Sequence, residues 1–553
     1  MPLGDQQSDV DGLWKNVNSS SRSKELSLNP IFRRFNGCYF TDLELAKDMV
    51  DRLFESMDET QLSNIEFLKF LEPCVGTGNF VISYLMKIYE LQLSDSQNKS
   101  IVNNIYVADV SSELLHYYSE IFSEFVKTAF DITLDNDYFD THTHLGLLYN
   151  INADNPEYIS ISQAFPGVIS FDIILTNPPY KNLKAEADQF ETKEEYEKTK
   201  KIYADLKKSM EKNLKYSVNG VLNIYKLFVE EIIEKYAAPR ALISLLIPNS
   251  ILSDKSCEKL RKRIIDTCKL IRIEVIREDS DYVDAQQALC TFLIKKGAKN
   301  DTFLINKDYC DDKHNVTCVD VSDITIDSYS IIAVNDAEYQ FLKKLRRFPQ
   351  LSSYKYIHNL RGELDLTQFK EYITDDSSQM PLLRGKHISK YFLKDQNPEF
   401  AKKEFIDICT KAGYLSKPRI ACQQISNMLS DERVNFAYVP EGYVLGNSCN
   451  YISVDENKDG IDLYYLLGLL NSSVINWYFK ITSSNNHINN YEIDAFPIPN
   501  NEKYSKMISD TVKKYIQTKD TNLIAEIDNM VKKSFEEIPK GVSKQTTLDL
   551  LGV

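Results

Sequence analysis

The sequence predicts an α/β protein: a doubly wound, mostly parallel sheet followed by a C-terminal mixed α+β domain. Three observations carry this. From about Ile31 to Lys296, short β-branched-rich runs alternate with longer helical patterns, which implies a parallel sheet covered on both faces. After Lys296 the alternation gives way to irregular strands and loops rich in Asn, Ser and Tyr, through about Asn500. The last fifty residues return to helical spacing, with Ile508, Val512 and Ile516 four apart on one face.

Taken in order, residues 1–30 are polar, carry the serine cluster NSSSRS and show little periodicity, so they are expected to be a flexible arm. Residues 31–300 form the sheet domain, with candidate strands at Phe67–Leu71, Asn104–Ala108, Phe171–Leu175, Ala241–Ile247, Ile271–Ile276 and Leu289–Ile294. Within it, residues 181–219 are dense in Glu and Lys with sparse apolar positions, which predicts a charged helical insertion. Residues 330–500 form the second domain and 501–553 the terminal helices.

Composition sets the outer bounds. A chain of 553 residues with 43% hydrophobic content suits two or three globular domains. The longest apolar run, Ala241–Leu252, contains Pro248 and Asn249 and is too short to cross a bilayer. The polar N-terminus lacks a signal-peptide stretch, and the ten cysteines form no C-x-x-C pair. These features predict a cytoplasmic protein with reduced thiols, no membrane contact and no metal. Of the seven histidines only His142 and His144 lie close together, in what reads as a polar loop. Net charge is −15, but residues 331–500 hold 19 Lys+Arg against 20 Asp+Glu, so a basic face there is permitted.

Three motifs carry chemistry. In Phe70-Leu-Glu-Pro-Cys-Val-Gly-Thr-Gly-Asn-Phe80 an apolar strand runs into a turn where Gly76 and Gly78 let backbone approach a ligand. Glu72 at the strand end can pair with a ligand's ammonium group but would repel a pyrophosphate. This favours S-adenosylmethionine over a dinucleotide. In Ile105-Tyr-Val-Ala-Asp109, an acid closing the second strand is placed to accept bonds from ribose hydroxyls, although a helix cap near Ser111 explains it as well in isolation. In Phe171-Asp-Ile-Ile-Leu-Thr-Asn-Pro-Pro-Tyr180, Pro178 and Pro179 stiffen the chain after a strand and hold the Asn177 amide at the sheet edge. The Asn177 oxygen and the Pro178 carbonyl can both accept from one NH2 group, freeing its lone pair to attack a methyl group. Tyr180 offers a ring on which a base can stack.

This order of motifs resembles the gamma-class amino-methyltransferases, particularly TaqI-like N6-adenine DNA methyltransferases of type II restriction-modification systems, over roughly residues 31–500. The resemblance implies a Rossmann-like S-adenosylmethionine-dependent catalytic domain and a C-terminal target-recognition domain. Asn36-Gly-Cys-Tyr-Phe-Thr41 is similar to the family's N-terminal cofactor motif, in which Thr41 would hold the methionine carboxylate. Asp154 would bind the cofactor's adenine amino group. Asn223–Glu230 and Ile247–Leu252 resemble later helix–strand motifs. Two positions depart from the pattern: Asp42 stands where Pro is common, and Ser111 where a second acid is common.

Pro381–Tyr391 and Lys417–Ser426 resemble elements of the target-recognition domain, and Leu466–Ser473 and Ala495–Pro499 its closing helix and turn. Arg384, Lys386, Lys390, Lys417 and Arg419 are candidates for phosphate contacts, and Gln423, Gln424 and Asn427 carry amides suited to adenine edges. The expected partner is double-stranded DNA, with a separate cognate restriction endonuclease possible. Protein-glutamine methyltransferases share Asn-Pro-Pro-Tyr but need no reading domain of this size. N4-cytosine methylation is chemically closer. An arm this short before Asn36 leaves no room for a nuclease domain of its own.

Overall fold

A computed structural model describes residues 3–27, 41–149, 158–185, 192–278, 280, 282, 287–326, 329–394, 399–427, 430–458, 460–483 and 486–536. The chain divides into two compact units, Met1–Asp336 and Ala337–Val553.

The first unit is built on a nine-stranded sheet. In chain order its strands are β1 (Phe70–Glu72), β2 (Ile105–Asp109), β3 (Thr143–Leu145), β4 (Phe171–Thr176), β5 (Ala237–Pro248), β6 (Cys268–Ile276), β7 (Leu289–Lys296), β8 (Thr302–Asn306) and β9 (Thr317–Asp320). Their spatial order is β9-β8-β6-β7-β5-β4-β1-β2-β3. Strands β3, β2, β1, β4 and β5 run parallel, and β7 enters antiparallel between β5 and β6. This is the sheet of the Rossmann-like methyltransferases. Every residue of β1 is buried, as a strand covered on both faces requires.

The direction of winding reverses beside β1. The chain leaves β1 toward β2 and β3, then returns to β4 on the other side of β1, in register Phe70↔Ile173 and Leu71↔Ile174. A crevice opens at the C-terminal ends of strands at such a reversal. Here those ends carry the glycine turn and the Asn-Pro-Pro-Tyr segment.

Helices cover the sheet. Helix α1 (Leu3–Ser27) occupies the segment expected as a flexible arm, and its Val10, Val17 and Ser21 are buried. The polar composition concealed a short apolar stripe, Val10, Leu13, Trp14 and Val17, which packs on the core of this unit. Helix α2 (Leu43–Glu55) buries Leu45, Met49 and Leu53 and is capped by Asp42, whose side chain accepts from the Glu44 N–H. Helix α3 (Asn79–Glu90) follows the glycine turn, and α4 (Ser112–Phe130) is capped by Ser111, which accepts from the Leu114 N–H at 3.2 Å. Both departures from the family pattern, Asp42 and Ser111, are therefore helix caps. The charged insertion contains helix α5 (Lys193–Asn213), opened by a Thr192/Glu195 capping box, with Tyr203, Leu206 and Met210 buried.

The second unit holds two four-stranded sheets. Its strands are β10 (Ile357–Arg361), β11 (Ile373–Thr374), β12 (Met380–Leu383), β13 (Glu399–Ala401), β14 (Arg419–Gln423), β15 (Phe436–Val439), β16 (Val444–Leu445) and β17 (Cys449–Val454). One sheet runs β10-β17-β14-β15, antiparallel throughout, and the other β11-β13-β12-β16. Helices α6 (Leu463–Leu470), α7 (Ser473–Thr482), α8 (Glu502–Thr518) and α9 (Asn522–Ser534) complete it. The terminal helices thus pack within this unit. A Cβ at Gly468 would lie 2.7 Å from Ile508 Cγ2 and 2.9 Å from Val512 Cγ2, so only glycine lets α6 approach α8 this closely.

Candidate functional site

The glycine turn is fixed by Asp109. Its Oδ2 accepts from the Gly76 N–H and its Oδ1 from the Ser111 N–H, both at 2.9 Å. The alternative reading of Asp109 as a bare helix cap is excluded, since Ser111 caps α4 while Asp109 ties β2 to the turn after β1. Gly78 sits at φ +89°, and a Cβ there would come 2.7 Å from Tyr118 Cδ2. The turn therefore demands glycine on both conformational and steric grounds.

Glu72 is 2% exposed, and its Oε2 is buried with no hydrogen-bond partner among the described residues. Burial, and then the neighbouring Asp109 carboxylate, push its pKa well above the ordinary glutamate value. Burial raises Asp109 too, partly offset by the backbone N–H groups of Ser111, Gly76 and Val110. Two buried acids that repel each other make a site for a cation. S-adenosylmethionine carries an ammonium and a sulfonium, so these residues fit it: Glu72 would take the ammonium and Asp109 would face the ribose. A dinucleotide would add negative charge to the same place.

Asn177 follows β4 directly. Its Nδ2 donates to Thr41 Oγ1 at 3.1 Å, and Thr41 is 5% exposed. The Thr41 carbonyl accepts from Asn79 Nδ2 at 2.7 Å, and Asn79 opens α3 right after Gly78. Thr41 and Asn79 thus join the Asn-Pro-Pro-Tyr segment to the glycine turn. The Tyr180 hydroxyl donates to the Leu246 carbonyl at 2.9 Å, which fixes the ring against β5, and burial raises its phenol well above its ordinary range. Just after β5, Asn249 Oδ1 is buried with no partner among the described residues. Thr41, Glu72, Gly76, Gly78, Asp109 and Asn177 gather at one sheet edge. Asp154 lies outside the described residues.

Two residues of this site were not foreseen, Asn79 and Ser21, and Ser21 Oγ donates to Asn79 Oδ1 at 2.8 Å. Asn79 had a signal: it is a lone amide at the head of the apolar run Phe80–Met86. Ser21 had none, being one serine of a cluster.

In the second unit, Arg384, Lys386, Lys390, Lys394, Gln423 and Asn435 line a cavity of about 690 Å3. Arg384 Nε donates to Glu399 Oε2 at 2.6 Å, Lys386 lies 3.5 Å from Glu399, and Lys390 pairs with Glu432. Two expected contacts need correcting. Arg419 is fully buried, paired with Glu363 and bonded to the Tyr443 carbonyl, so it is structural and reaches no phosphate. The Gln424 amide is committed within the chain, to Asn450 or, turned end for end, to the Asn447 carbonyl at 2.8 Å and Arg361 Nε at 3.0 Å. Lys417, partly exposed like Lys386, pairs with Asp455 at 3.2 Å. Position along β14 separates Arg419 from Gln423: both lie on one face of the strand, Arg419 at its buried start and Gln423 at its partly exposed end. Asn427 is exposed.

The first unit thus brings Asn177 and the glycine turn together at one end of its sheet, and the second holds a cavity lined by Arg384, Lys386, Lys390 and Lys394. Residues 103–281 match the family model of the Eco57I restriction-modification methylase, and residues 380–498 that of the TaqI-like C-terminal specificity domain. The first match lies within the sheet unit and the second within the C-terminal unit, so the chain is similar to TaqI-like restriction-modification methyltransferases in both. No curated protein matches it by sequence. Among solved structures it is similar to the type IIL restriction-modification enzyme MmeI in complex with DNA, at 12% identity and TM-score 0.48, covering 95% of this chain and 79% of that one. It is also similar to the type IIG restriction endonuclease BpuSI, at 12% identity and TM-score 0.40, covering 90% of this chain and 65% of that one. A third is the DrdV–DNA complex, at 9% identity and TM-score 0.46, covering 91% of this chain and 59% of that one. The chain spans less than two thirds of the latter two.

Proposed function

We propose that this chain methylates the exocyclic N6 of adenine at a specific sequence in duplex DNA, using S-adenosylmethionine, as the modification activity of a restriction-modification system. The observation that carries the reading is Asn177. It stands directly after β4 at the reversal of the sheet, its Nδ2 donating to Thr41 Oγ1 at 3.1 Å, and its Oδ1 is the end of the amide that would accept from a target amine.

S-adenosylmethionine, when bound, supplies an electrophilic methyl group. The chain's own groups do the rest. The Asn177 oxygen and the Pro178 carbonyl accept the two amine hydrogens and draw the nitrogen toward tetrahedral geometry, so that its lone pair points at the methyl. Glu72 anchors the donor's ammonium. The target base must leave the stack to reach this edge, and the fixed Tyr180 ring offers it a face worth about 1–3 kcal/mol of stacking. In the second unit, Lys386 and Lys390 exchange their carboxylate partners for phosphates, and Gln423 presents an amide to a base edge.

The test is incubation of the purified chain with tritiated S-adenosylmethionine and a duplex library, followed by long-read sequencing. N6-methyladenine at one motif is expected. N4-methylcytosine would move the target to the other exocyclic amine, and label in protein but not DNA would overturn the reading.

A further inference from the structure

The opposite end of the first unit's sheet carries a second cavity, of about 500 Å3, lined by Arg52 and Glu55 of α2, Lys269 and Arg272 of β6, and Lys295 of β7. Lys269 stands at the start of β6 and Lys295 at the end of the antiparallel β7, away from the C-terminal strand ends that carry Asn177. Helix α2 spans the distance, running from its cap Asp42, next to Thr41, to Arg52 about 15 Å along its axis.

Two features of this cavity are electrostatically unfavourable as they stand. Lys269 and Lys295 are directly paired across the antiparallel strands, where like charges repel. Lys295 is compensated by Asp58 at 2.9 Å and Gln61 Oε1 at 3.0 Å, while the Lys269 ammonium has no partner among the described residues. Arg52 and Arg272 share one carboxylate. Glu274, 1% exposed, accepts through Oε1 from Arg272 Nε at 2.8 Å and Arg52 Nε at 3.3 Å, and through Oε2 from Thr291 Oγ1 at 3.1 Å. Both guanidinium planes are thus held by their Nε atoms. The terminal nitrogens of Arg272 have no partner among the described residues, and Arg52 Nη1 lies 3.9 Å from the exposed Glu55. Asp48 also acts on Arg52, but Lys313 matches it at 2.8 Å. Four cations therefore meet Glu274, Glu55 and Asp58, and Asp58 is shared with Arg240. A positive excess is gathered in one hollow of a chain whose net charge is −15.

We infer that this cavity binds a small diphosphate-bearing ligand, such as a nucleoside diphosphate. Guanidinium forks grip phosphate oxygens in pairs, and an ammonium adds a point charge, so two arginines and a lysine suit more than one phosphate. The volume is that of a small-molecule site, and Ile271 and Leu304 give it an apolar wall. An anion between Lys269 and Lys295 would also relieve their repulsion. The inference does not depend on the methyl-transfer reading.

The structure supplies a reporter. Cys318 of β9, paired with Leu304 across the sheet, is an exposed free thiol on the cavity's lining. The experiment treats full-length protein with limiting N-ethylmaleimide and follows labelling of the Cys318 peptide by mass spectrometry. ADP and pyrophosphate should slow it saturably, whereas adenosine, sulfate and S-adenosylhomocysteine at equal concentration should not. In Lys269→Ala, half-protection should need at least about tenfold more ADP, as loss of one charge-assisted hydrogen bond requires. Lys269→Arg should keep protection. Without ligand, Lys269→Ala should unfold in urea at or above the wild-type midpoint, because a repulsion is removed. Should Lys269→Ala fail to fold, Lys269→Gln is read the same way. If ADP gives no protection, if sulfate or adenosine protects as well as ADP, or if protection is unchanged without the Lys269 ammonium, the inference is overturned. Protection by a DNA duplex but not by ADP would overturn it in favour of a nucleic-acid surface.

Discussion

Replacing Glu72 by Gln sets two effects against each other. In the cofactor-free chain the charged carboxyl is 2% exposed, carries an Oε2 with no partner among the described residues and faces Asp109. A neutral amide of the same shape removes that repulsion, so Glu72→Gln should be more stable to urea at pH 8. The sign of the pH dependence follows from the raised pKa. Below the ordinary glutamate range the carboxyl is protonated in folded and unfolded chains alike, and its charge costs nothing. As pH rises toward the elevated folded value, the unfolded chain ionises first and the folded chain loses stability relative to it. The advantage of the variant should therefore widen over that interval and then level off. Cofactor affinity moves the other way. A hydrogen bond to a charged partner is worth about 1.5–3 kcal/mol, so S-adenosylmethionine should bind roughly 10- to 150-fold more weakly. In the wild type at mildly acidic pH, binding should release a proton, visible as a dependence of calorimetric heat on the buffer's ionisation enthalpy. Equal affinity in Glu72→Gln, together with no gain in stability, would refute this account of the site.

Three further outcomes follow. Asn177→Ala should cut kcat by at least about a hundredfold, as loss of one transition-state acceptor does, while calorimetric cofactor affinity and DNA retention on filters stay near wild type. Gly78→Ala should lower stability by about 2–4 kcal/mol, from a left-handed φ imposed on a side chain and a Cβ 2.7 Å from Tyr118; a variant with unchanged melting would place the strain elsewhere. Arg419→Leu leaves Glu363 buried and unpaired and should destabilise the chain by about 3–5 kcal/mol, whereas Lys386→Ala should leave stability alone and reduce the salt slope of DNA binding by about one. A steep salt effect in the first and none in the second would reverse these roles.

The sheet was legible wherever a strand is buried on both faces, because a continuous apolar run leaves little else to read. Ile105–Asp109, Phe171–Thr176 and Leu289–Lys296 lie within a few residues of where their sequences put them. Strands β3, β8 and β9 were not legible. Thr143–Leu145 is three residues of mixed polarity, and Thr317–Asp320 alternates buried and exposed positions as an edge strand does. His144, read as part of a loop, is in β3, and His142 stacks on Tyr138 with ring centroids 4.2 Å apart. At the site, the glycines, Glu72 and Asn177 could be read because their chemistry is local to a strand–turn junction. Asn79 and Ser21 act across 58 positions of chain, and no spacing rule reaches that far. Arg419 misled for a related reason: an arginine beside a lysine looks like surface, and only the fold shows Glu363 waiting inside.

Strand β14 is anchored at its root by Arg419 and ends at Gln423, on the rim of the basic cavity. Mutations at the tip leave the anchor untouched, so the scaffold is insulated from them. On the proposed reading, residues 394, 423 and 435 on the cavity rim can therefore change what the cavity contacts while the buried Arg419–Glu363 pair stays as it is. A change at the root carries no such freedom, since it must be matched at Glu363 in the same step.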